Sequence, residues 1–315
     1  MNTRTLSAYW REVGLLAPIV GLLVAAWAIA PDFLAVPAQA EMSTHVWELA
    51  LLTLPMTLII ISGGIDLSVG STMALCAVVI GLAYEAGWPL WIGCALALAT
   101  GAAGGALNGA FVAAARVHPL IVTLATLAAY RGIAEGISLA RPISGFPDSF
   151  AAVGRGAALG LPVPGIVFIV CAAIGAVVLA GTVFGRSLYA IGDNEEAARF
   201  SGIAVDRVKL LLYTLSGSAA AMAAIMLVSR RNTAKADMGQ NMELDVITAV
   251  VLGGVSIFGG RGRILGVLLG ILLIHETREF VSWQWNRDEL NFIVVGALLI
   301  ASVALNTLMT YRKRS

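Results

Sequence analysis

Long apolar stretches almost free of charge recur along the whole chain and constrain its fold more than any other feature. Of the 315 residues, 59% are hydrophobic and 12% are charged, whereas soluble domains average roughly a quarter charged residues. A helix of about 20 apolar residues is long enough to cross the hydrocarbon core of a bilayer. The chain is therefore predicted to be an all-α integral membrane protein.

One transmembrane domain over residues 1–315 is expected, with about ten spans. The predicted spans are 13–30, 46–62, 67–84, 89–114, 119–139, 163–182, 208–228, 244–258, 264–282 and 290–309. Glycine interrupts two of these runs, at 62–70 and at 252–260. Paired interruptions at similar places favour two duplicated halves of roughly five helices, with a translocation site between them; chance is the alternative, because the chain has 34 glycines.

The distribution of positive charges predicts the orientation, because loops on the cytoplasmic side carry an excess of Lys and Arg. With ten spans and a cytoplasmic N-terminus, the cytoplasmic segments hold Arg4, Arg11, Arg116, Arg186, Arg199, Arg207, Lys209, Arg261, Arg263, Arg312, Lys313 and Arg314. One predicted outer loop is an exception, with Arg230, Arg231 and Lys235. Both termini are nevertheless expected in the cytoplasm.

An acidic residue stands between two apolar runs in the segment 62–72. A carboxylate at membrane depth is costly unless it is paired, capped or hydrated. Gly63 and Gly64 allow the backbone to leave helical geometry, and Asp66 or Ser68 can cap the helix that restarts there. Two interpretations stay open, a helix cap alone or a gate in the translocation pathway.

A short helix is predicted in the cytoplasmic loop 183–209. Asp193 as N-cap with Glu196 three residues later forms a capping-box pattern, and Gly202 is expected to end the helix. The residues of this segment that are predicted to couple to a partner are Asp193, Asn194, Glu195, Glu196, Ala197, Ala198, Arg199 and Gly202. A solvated amphipathic helix is the alternative, but apolar members such as Phe200 favour a docking surface.

Hydroxyl groups recur at helical spacing within 118–136, at Thr123 and Thr126. Arg131 and Glu135 are four residues apart and can form an ion pair. This segment is either structural or the lining of a polar pathway. Asn108 is a further polar group within a predicted span, where an interhelical hydrogen bond is the alternative to a role in the pathway.

Several kinds of chemistry have no support in the sequence. The chain has no G-x-x-x-x-G-K-[ST] motif for nucleotide phosphates and no H-E-x-x-H motif for zinc. Its three histidines are far apart, so no metal or nucleophilic catalytic site is predicted. The chain is therefore not expected to be an enzyme or to hold a cofactor of its own.

Four blocks of sequence resemble the permeases of bacterial ABC importers for ribose, xylose, rhamnose and related carbohydrates. The blocks are 63–71, 119–126 with 130–132, 185–199, and 248–254. Within that family the chain is most similar to the autoinducer-2 and rhamnose permeases. The segments that suggest this branch are 54–57, 160–164, 227–229 and 236–239.

The resemblance implies the subunit architecture and the partners. It implies a permease dimer, of identical or paralogous chains, that moves a sugar or sugar-like solute into the cytoplasm by alternating access. Two P-loop ATPase subunits would bind ATP and Mg²⁺ below the membrane, and a periplasmic sugar-binding protein would dock above. Residues 193–202 would then be the coupling helix that sits in the ATPase groove. The alternative function is an ion-coupled secondary transporter of a small polar solute, using Asp66 or Glu135.

Overall fold

A computed structural model of the chain describes residues 10–158, 160–285 and 287–311. Over these residues the chain forms fourteen α-helices and two small two-stranded sheets. The helices are α1 Trp10–Ile29, α2 Val36–Met42, α3 Trp47–Ile61, α4 Val69–Glu85, α5 Leu90–Ala113, α6 Pro119–Ser138, α7 Asp148–Arg155, α8 Val163–Gly181, α9 Val183–Asp193, α10 Glu195–Phe200, α11 Val205–Arg231, α12 Met242–Leu252, α13 Ile264–Trp285 and α14 Asp288–Tyr311.

Two small antiparallel sheets tie loops together. The strands are β1 Ile143–Ser144, β2 Ala157–Ala158, β3 Leu161–Pro162 and β4 Thr233–Ala234. β1 pairs with the distant β4, which places Ile143 opposite Ala234. β2 forms a hairpin with β3 next to it in sequence. With only two residues per strand, these sheets fasten loops and leave the fold all-α.

The apolar helices fit the predicted integral membrane fold. Among the described residues, α5, α6, α8 and α11 are each long and apolar enough to cross a membrane. The segment Val36–His45, bent by 51° relative to α3, would form a fifth span together with that helix. Nine of the ten predicted spans coincide to within about three residues with α1, α3–α6, α8, α11, α13 and α14. The span predicted at 244–258 is too long at its C-terminus, because α12 ends at Leu252 where Gly253 and Gly254 follow. The exact number of spans that cross the bilayer stays a prediction.

The prediction missed three short helices, α2, α7 and α9. The predicted loop 183–209 contains α9, α10 and the start of α11. α9 is helical because it buries Leu188 and Ile191 on one face. Among the charges used to predict the orientation, Arg4, Arg312, Lys313 and Arg314 lie outside the described residues, as does the side chain of Arg11.

Helices α5 and α11 form the centre of the bundle, and their backbones touch. A Cβ atom added at Gly217 of α11 would lie 1.9 Å from the carbonyl oxygen of Gly101. One added at Gly105 would lie 2.1 Å from the carbonyl oxygen of Tyr213. Glycines four residues apart allow such an approach between membrane helices. The abundant glycine thus serves helix packing here.

Helix α11 connects the two ends of the molecule. Its 27 residues span about 40 Å at 1.5 Å per residue, more than the roughly 30 Å hydrocarbon core of a bilayer. It begins beside α10 and ends at Asn232, which has a left-handed backbone (φ 51°). Features beside the first and the last turn of α11 therefore lie at opposite ends of the bundle.

Candidate functional site

The short helix predicted in the cytoplasmic loop is present as α10, but its N-cap is Asn194. The Asn194 Oδ1 atom accepts a hydrogen bond from the backbone N–H of Ala197 at 2.9 Å. Asp193 instead ends α9. The predicted capping box between Asp193 and Glu196 is wrong, because the chain leaves helical geometry one residue later, at Asn194 (φ −157°, ψ 104°).

The C-terminus of α10 forms a Schellman motif at the predicted glycine. Gly202 has φ 85°, and its N–H donates to the carbonyl of Arg199 at 3.0 Å. The N–H of Ile203 donates to the carbonyl of Ala198 at 3.1 Å. These two bonds satisfy carbonyls that a helix end leaves open. The prediction that the short helix ends at Gly202 is confirmed, while its part in coupling stays a prediction.

Ion pairs fix α10 to the first turns of α11. The Glu195 carboxylate accepts from Lys209 Nζ at 2.5 Å and from Arg199 at 3.0 Å. Arg199 also donates to Asp206 at 2.5 Å. Partial burial alone would raise the pKa of Glu195, but hydrogen bonds and charge attraction from Lys209 and Arg199 outweigh it and lower this pKa below its ordinary 4.5. The network is expected to hold α10 in one orientation.

The outward face of α10 presents an exposed aromatic ring. Phe200 is 86% exposed, and Glu196 and Ala197 beside it are exposed as well. Ala198, on the opposite face, is buried against the bundle. An exposed aromatic side chain on a helix held rigidly from behind is typical of a docking anchor.

Three segments far apart in sequence meet at backbone level next to α10. We call this contact the glycine junction; it consists of Ile61, Gly192, Gly259 and Gly260. The N–H of Gly260 donates to the carbonyl of Ile61 at 2.9 Å. A Cβ atom at Gly192 would lie 1.9 Å from that carbonyl oxygen and 2.4 Å from the Gly260 nitrogen. The two glycine-broken segments, 62–70 and 252–260, therefore meet at the end of α9, which directly precedes α10.

The acidic residue at 66 is buried and fully engaged by hydrogen bonds. Asp66 is 2% exposed. Its Oδ1 atom accepts from the backbone N–H of Ser68 at 3.0 Å and from the Ser68 hydroxyl at 2.7 Å. Its Oδ2 atom accepts from the Ser216 hydroxyl at 2.8 Å. Asp66 thus forms the turn that precedes α4 and ties this turn to α11.

The other predicted pathway residues extend this polar cluster. Asn108 is 1% exposed, and its Nδ2 atom donates to the Ser68 hydroxyl at 2.8 Å. Thr123 is buried, and its hydroxyl donates to the carbonyl of Pro119 at 2.9 Å. The Thr126 hydroxyl donates to the carbonyl of Val122 at 3.1 Å. In this conformation Asn108 and Thr123 are buried and the Thr126 hydroxyl bonds within its own helix, so a role in lining the pathway requires another arrangement of the bundle.

The predicted ion pair between Arg131 and Glu135 is not formed. Arg131 Nη1 donates instead to the backbone carbonyls of Ala236 and Met238, the latter at 3.0 Å. Glu135 lies on the exposed side of α6. The loop after β4 supplies carbonyl acceptors closer to the guanidinium than the carboxylate one turn along the helix. Arg131 therefore fastens a loop.

Three residues of these contacts were not singled out from the sequence. Gly192 precedes the predicted helix by one residue, but its importance comes from contacts with positions more than 60 residues away. Lys209 and Ser216 lie on α11, and their partners Glu195 and Asp66 lie elsewhere in the chain. A local signal existed only for Gly192, as a glycine directly before a polar cap.

Comparisons with known proteins bear on the whole chain. Residues 40–303 match a family described as the permease component of the branched-chain amino acid transport system. The chain is similar to the autoinducer 2 import system permease protein LsrD of Yersinia enterocolitica, with 38% identity over 84% of this chain and 82% of the relative. The Klebsiella pneumoniae protein of that name is 35% identical over 96% of this chain and 93% of its own length.

The Escherichia coli K12 protein of the same name is 34% identical over 97% of this chain and 94% of its own length. No solved structure matches the chain. The similarity extends through α10, the glycine junction and the Asp66 cluster.

Proposed function

Because the chain belongs to the family of branched-chain amino acid transport system permease components, we propose that it is the membrane pathway of an ATP-binding-cassette importer. In this proposal the chain moves a sugar or sugar-like solute into the cytoplasm by alternating access. The relatives are named as autoinducer 2 import permeases, which supports a solute of that type. Transport would be driven by ATP and Mg²⁺ on a partner subunit.

Helix α10 is the observation that carries this proposal. It is held by ion pairs to α11 and presents Phe200 outward. The sequence lacks a P-loop of its own, so the work of ATP hydrolysis would have to enter through a contact with an ATPase. A rigid helix with an exposed aromatic anchor fits that requirement. Residues 193–202 would form the coupling helix within the cytoplasmic loop 183–209.

The glycine junction supports a mechanical route from α10 to the pathway. Motion of α10 would be passed to Gly192 and from there to both glycine-broken segments. Packed interfaces shift as rigid bodies rather than deform continuously. The contact at Gly192 is made by backbone atoms of Ile61 and Gly260. The segments 63–70 and 253–262 would act as gates, and rearranging them would expose Asn108, Thr123 and Thr126 to the solute.

The remaining partners and the location belong to the same proposal. A second permease copy or a paralogue would complete the pathway, and a periplasmic binding protein would deliver the solute. The protein would lie in the bacterial inner membrane as a single domain over 1–315. Placing α10 and both termini in the cytoplasm agrees with the excess of positive charge on that side.

Reconstitution into proteoliposomes tests the proposal. The chain is reconstituted with and without the ATPase encoded in its genomic neighbourhood, and uptake of labelled autoinducer 2, ribose and rhamnose is measured. We expect uptake only with the ATPase and ATP. Phe200→Ala should reduce ATPase binding and uptake at least tenfold, whereas Ser201→Ala, an exposed neighbour, should leave both unchanged. Uptake that persists without the ATPase would support an ion-coupled secondary transporter instead.

A further inference from the structure

A polar cavity of about 460 Å³ lies at the end of the bundle opposite to α10. It is enclosed by the first turns of α3 and α12, the last turn of α11, the end of α13 and the start of α14. Lys209, which fixes α10, and Arg230, which lines the cavity, are 21 positions apart on α11, a distance of about 31 Å along the helix. The cavity and α10 thus lie at opposite ends of the bundle.

Charged groups on the cavity wall are largely neutralised within the chain. Glu48 accepts from Arg230 Nε at 3.1 Å. Asp245 is paired with Arg278, and His45 contacts Glu279 at 3.2 Å. The lining carboxylates Glu48, Asp237, Asp245 and Glu279 nearly balance the lining arginines Arg230, Arg231 and Arg278, so the cavity offers little net charge to an ion. It offers a dense array of hydrogen-bonding atoms instead.

Two acceptors of residues that line this wall are buried and have no hydrogen-bond partner among the residues that the structure describes. Glu48 is 1% exposed, and its Oε2 atom makes no hydrogen bond. Asn291 is 5% exposed, and its Oδ1 atom is likewise unpartnered, while its Nδ2 atom donates to Ser282 at 2.8 Å. A buried acceptor without a donor costs about 1–3 kcal/mol. The arrangement therefore suits a guest that brings hydroxyl donors.

We propose that this cavity is a binding site for a neutral polyhydroxylated solute within the permease itself. Hydroxyl groups of the solute would donate to Glu48 Oε2 and Asn291 Oδ1. The inference rests on the proposed function and deepens it, because it gives the membrane subunit its own part in selecting the solute. A volume of about 460 Å³ falls in the range of small-molecule sites, roughly 300–1,000 Å³.

A zwitterionic amino acid is the main competing guest. Its ammonium group could use the free acceptors, but its carboxylate would need an unengaged guanidinium. Two of the three arginines that line the cavity, Arg230 and Arg278, are already paired with carboxylates. The third, Arg231, is exposed to solvent. The buried part of the wall therefore favours a guest without a negative charge, and leucine serves as the discriminating probe.

Binding measurements on the full-length chain in lipid nanodiscs test the inference. Labelled autoinducer 2, ribose, rhamnose and leucine are the probes. We expect at least one of the first three to bind, and Glu48→Gln and Asn291→Ala each to weaken that binding at least tenfold. Glu135→Gln, a matched change on the exposed side of α6, should bind as the unmodified chain does. Binding of leucine alone, or of no probe, would overturn the proposal.

Two further measurements keep the result decisive. Hydrogen exchange of the unmodified chain should show protection of 237–242 when solute is bound; protection confined to other segments places the site elsewhere and refutes the inference without any variant. ATP-driven uptake is measured for the same variants. Full uptake by a folded Asn291→Ala chain with unchanged binding would reject the cavity site and leave the importer proposal standing, whereas uptake without the ATPase would reject the importer itself.

Discussion

At the scale of single residues, Gly192 is the position where the smallest change has the largest expected effect. A methyl group there would overlap the carbonyl oxygen of Ile61 and the nitrogen of Gly260, and backbone atoms cannot move aside as a flexible side chain can. Gly192→Ala is expected to separate the junction, reducing ATP-driven uptake at least tenfold while α10 still binds the ATPase.

The measurement is uptake in proteoliposomes together with co-purification of the ATPase. Gly136→Ala is the matched control, because a Cβ atom at Gly136 meets nothing within 4 Å. Normal uptake by the Gly192→Ala chain would show that the junction transmits no motion.

Asp66 is a second residue whose replacement is expected to have a large effect, in this case on the stability of the fold. Asp66→Leu leaves the Ser68 N–H, the Ser68 hydroxyl and the Ser216 hydroxyl without their acceptor. Each unmet group costs about 1–3 kcal/mol, so the variant is expected to unfold at a clearly lower temperature. Thermal unfolding in detergent measures this, with the exposed Asp148→Leu as control. An unchanged midpoint would mean that the cluster contributes nothing to stability.

At the scale of helices, α10 is a short element whose position depends on charge. Glu195 has a pKa lowered by its partners, so its attachment to Lys209 and Arg199 is complete above about pH 4.5, the ordinary value, and is lost as the pH falls through the lowered value. A spin label at Ser201→Cys, with the native cysteines replaced, should therefore be immobile near pH 7 and gain mobility below about pH 4.5.

Lys209→Met should give the mobile spectrum already near pH 7, because it removes one anchor of Glu195. Glu196→Gln, a change to the neighbouring exposed carboxylate, should leave the mobility unchanged. A spectrum that is the same at every pH and in every variant would contradict the role of these ion pairs.

The sequence predicted helices well and their connections less well. Spans such as α5 and α6 were found within a residue or two because hydropathy is a local property. The N-cap of α10 shifted by one residue because Asp193 and Asn194 both favour that position, and only the packing of α9 decides between them. The predicted ion pair between Arg131 and Glu135 was wrong because the acceptors that Arg131 uses, the carbonyls of Ala236 and Met238, come from a distant loop.

At the scale of the whole molecule, the path of α11 predicts which loops face which compartment. Lys235 lies just beyond its end, and Ser201 lies just before its start. In a cysteine-free background, Lys235→Cys should react with a membrane-impermeant maleimide in intact cells, whereas Ser201→Cys should react only after lysis. Labelling of both sites in intact cells, or the opposite pattern, would overturn the proposed orientation.

The helix α10 and the polar cavity differ in how far the sequence could predict them. The short helix α10 was predictable because caps and exposed apolar residues are local signals. The polar cavity was not, because its free acceptors Glu48 and Asn291 are 243 positions apart and only the packing of α3 and α14 against α12 and α13 brings them to one wall. Buried polar atoms without partners become recognisable only in the folded chain.

The glycine junction bears on whether one permease can be paired with the ATPase of another importer. Its contacts are made by main-chain atoms, which are the same in every protein. The proposed transmission of motion would therefore require glycine at the contact but no other particular side chain. The choice of the partner ATPase would then depend on a few outward side chains around Phe200. If these side chains are grafted onto another permease, that permease should transport its own solute with the ATPase of this protein.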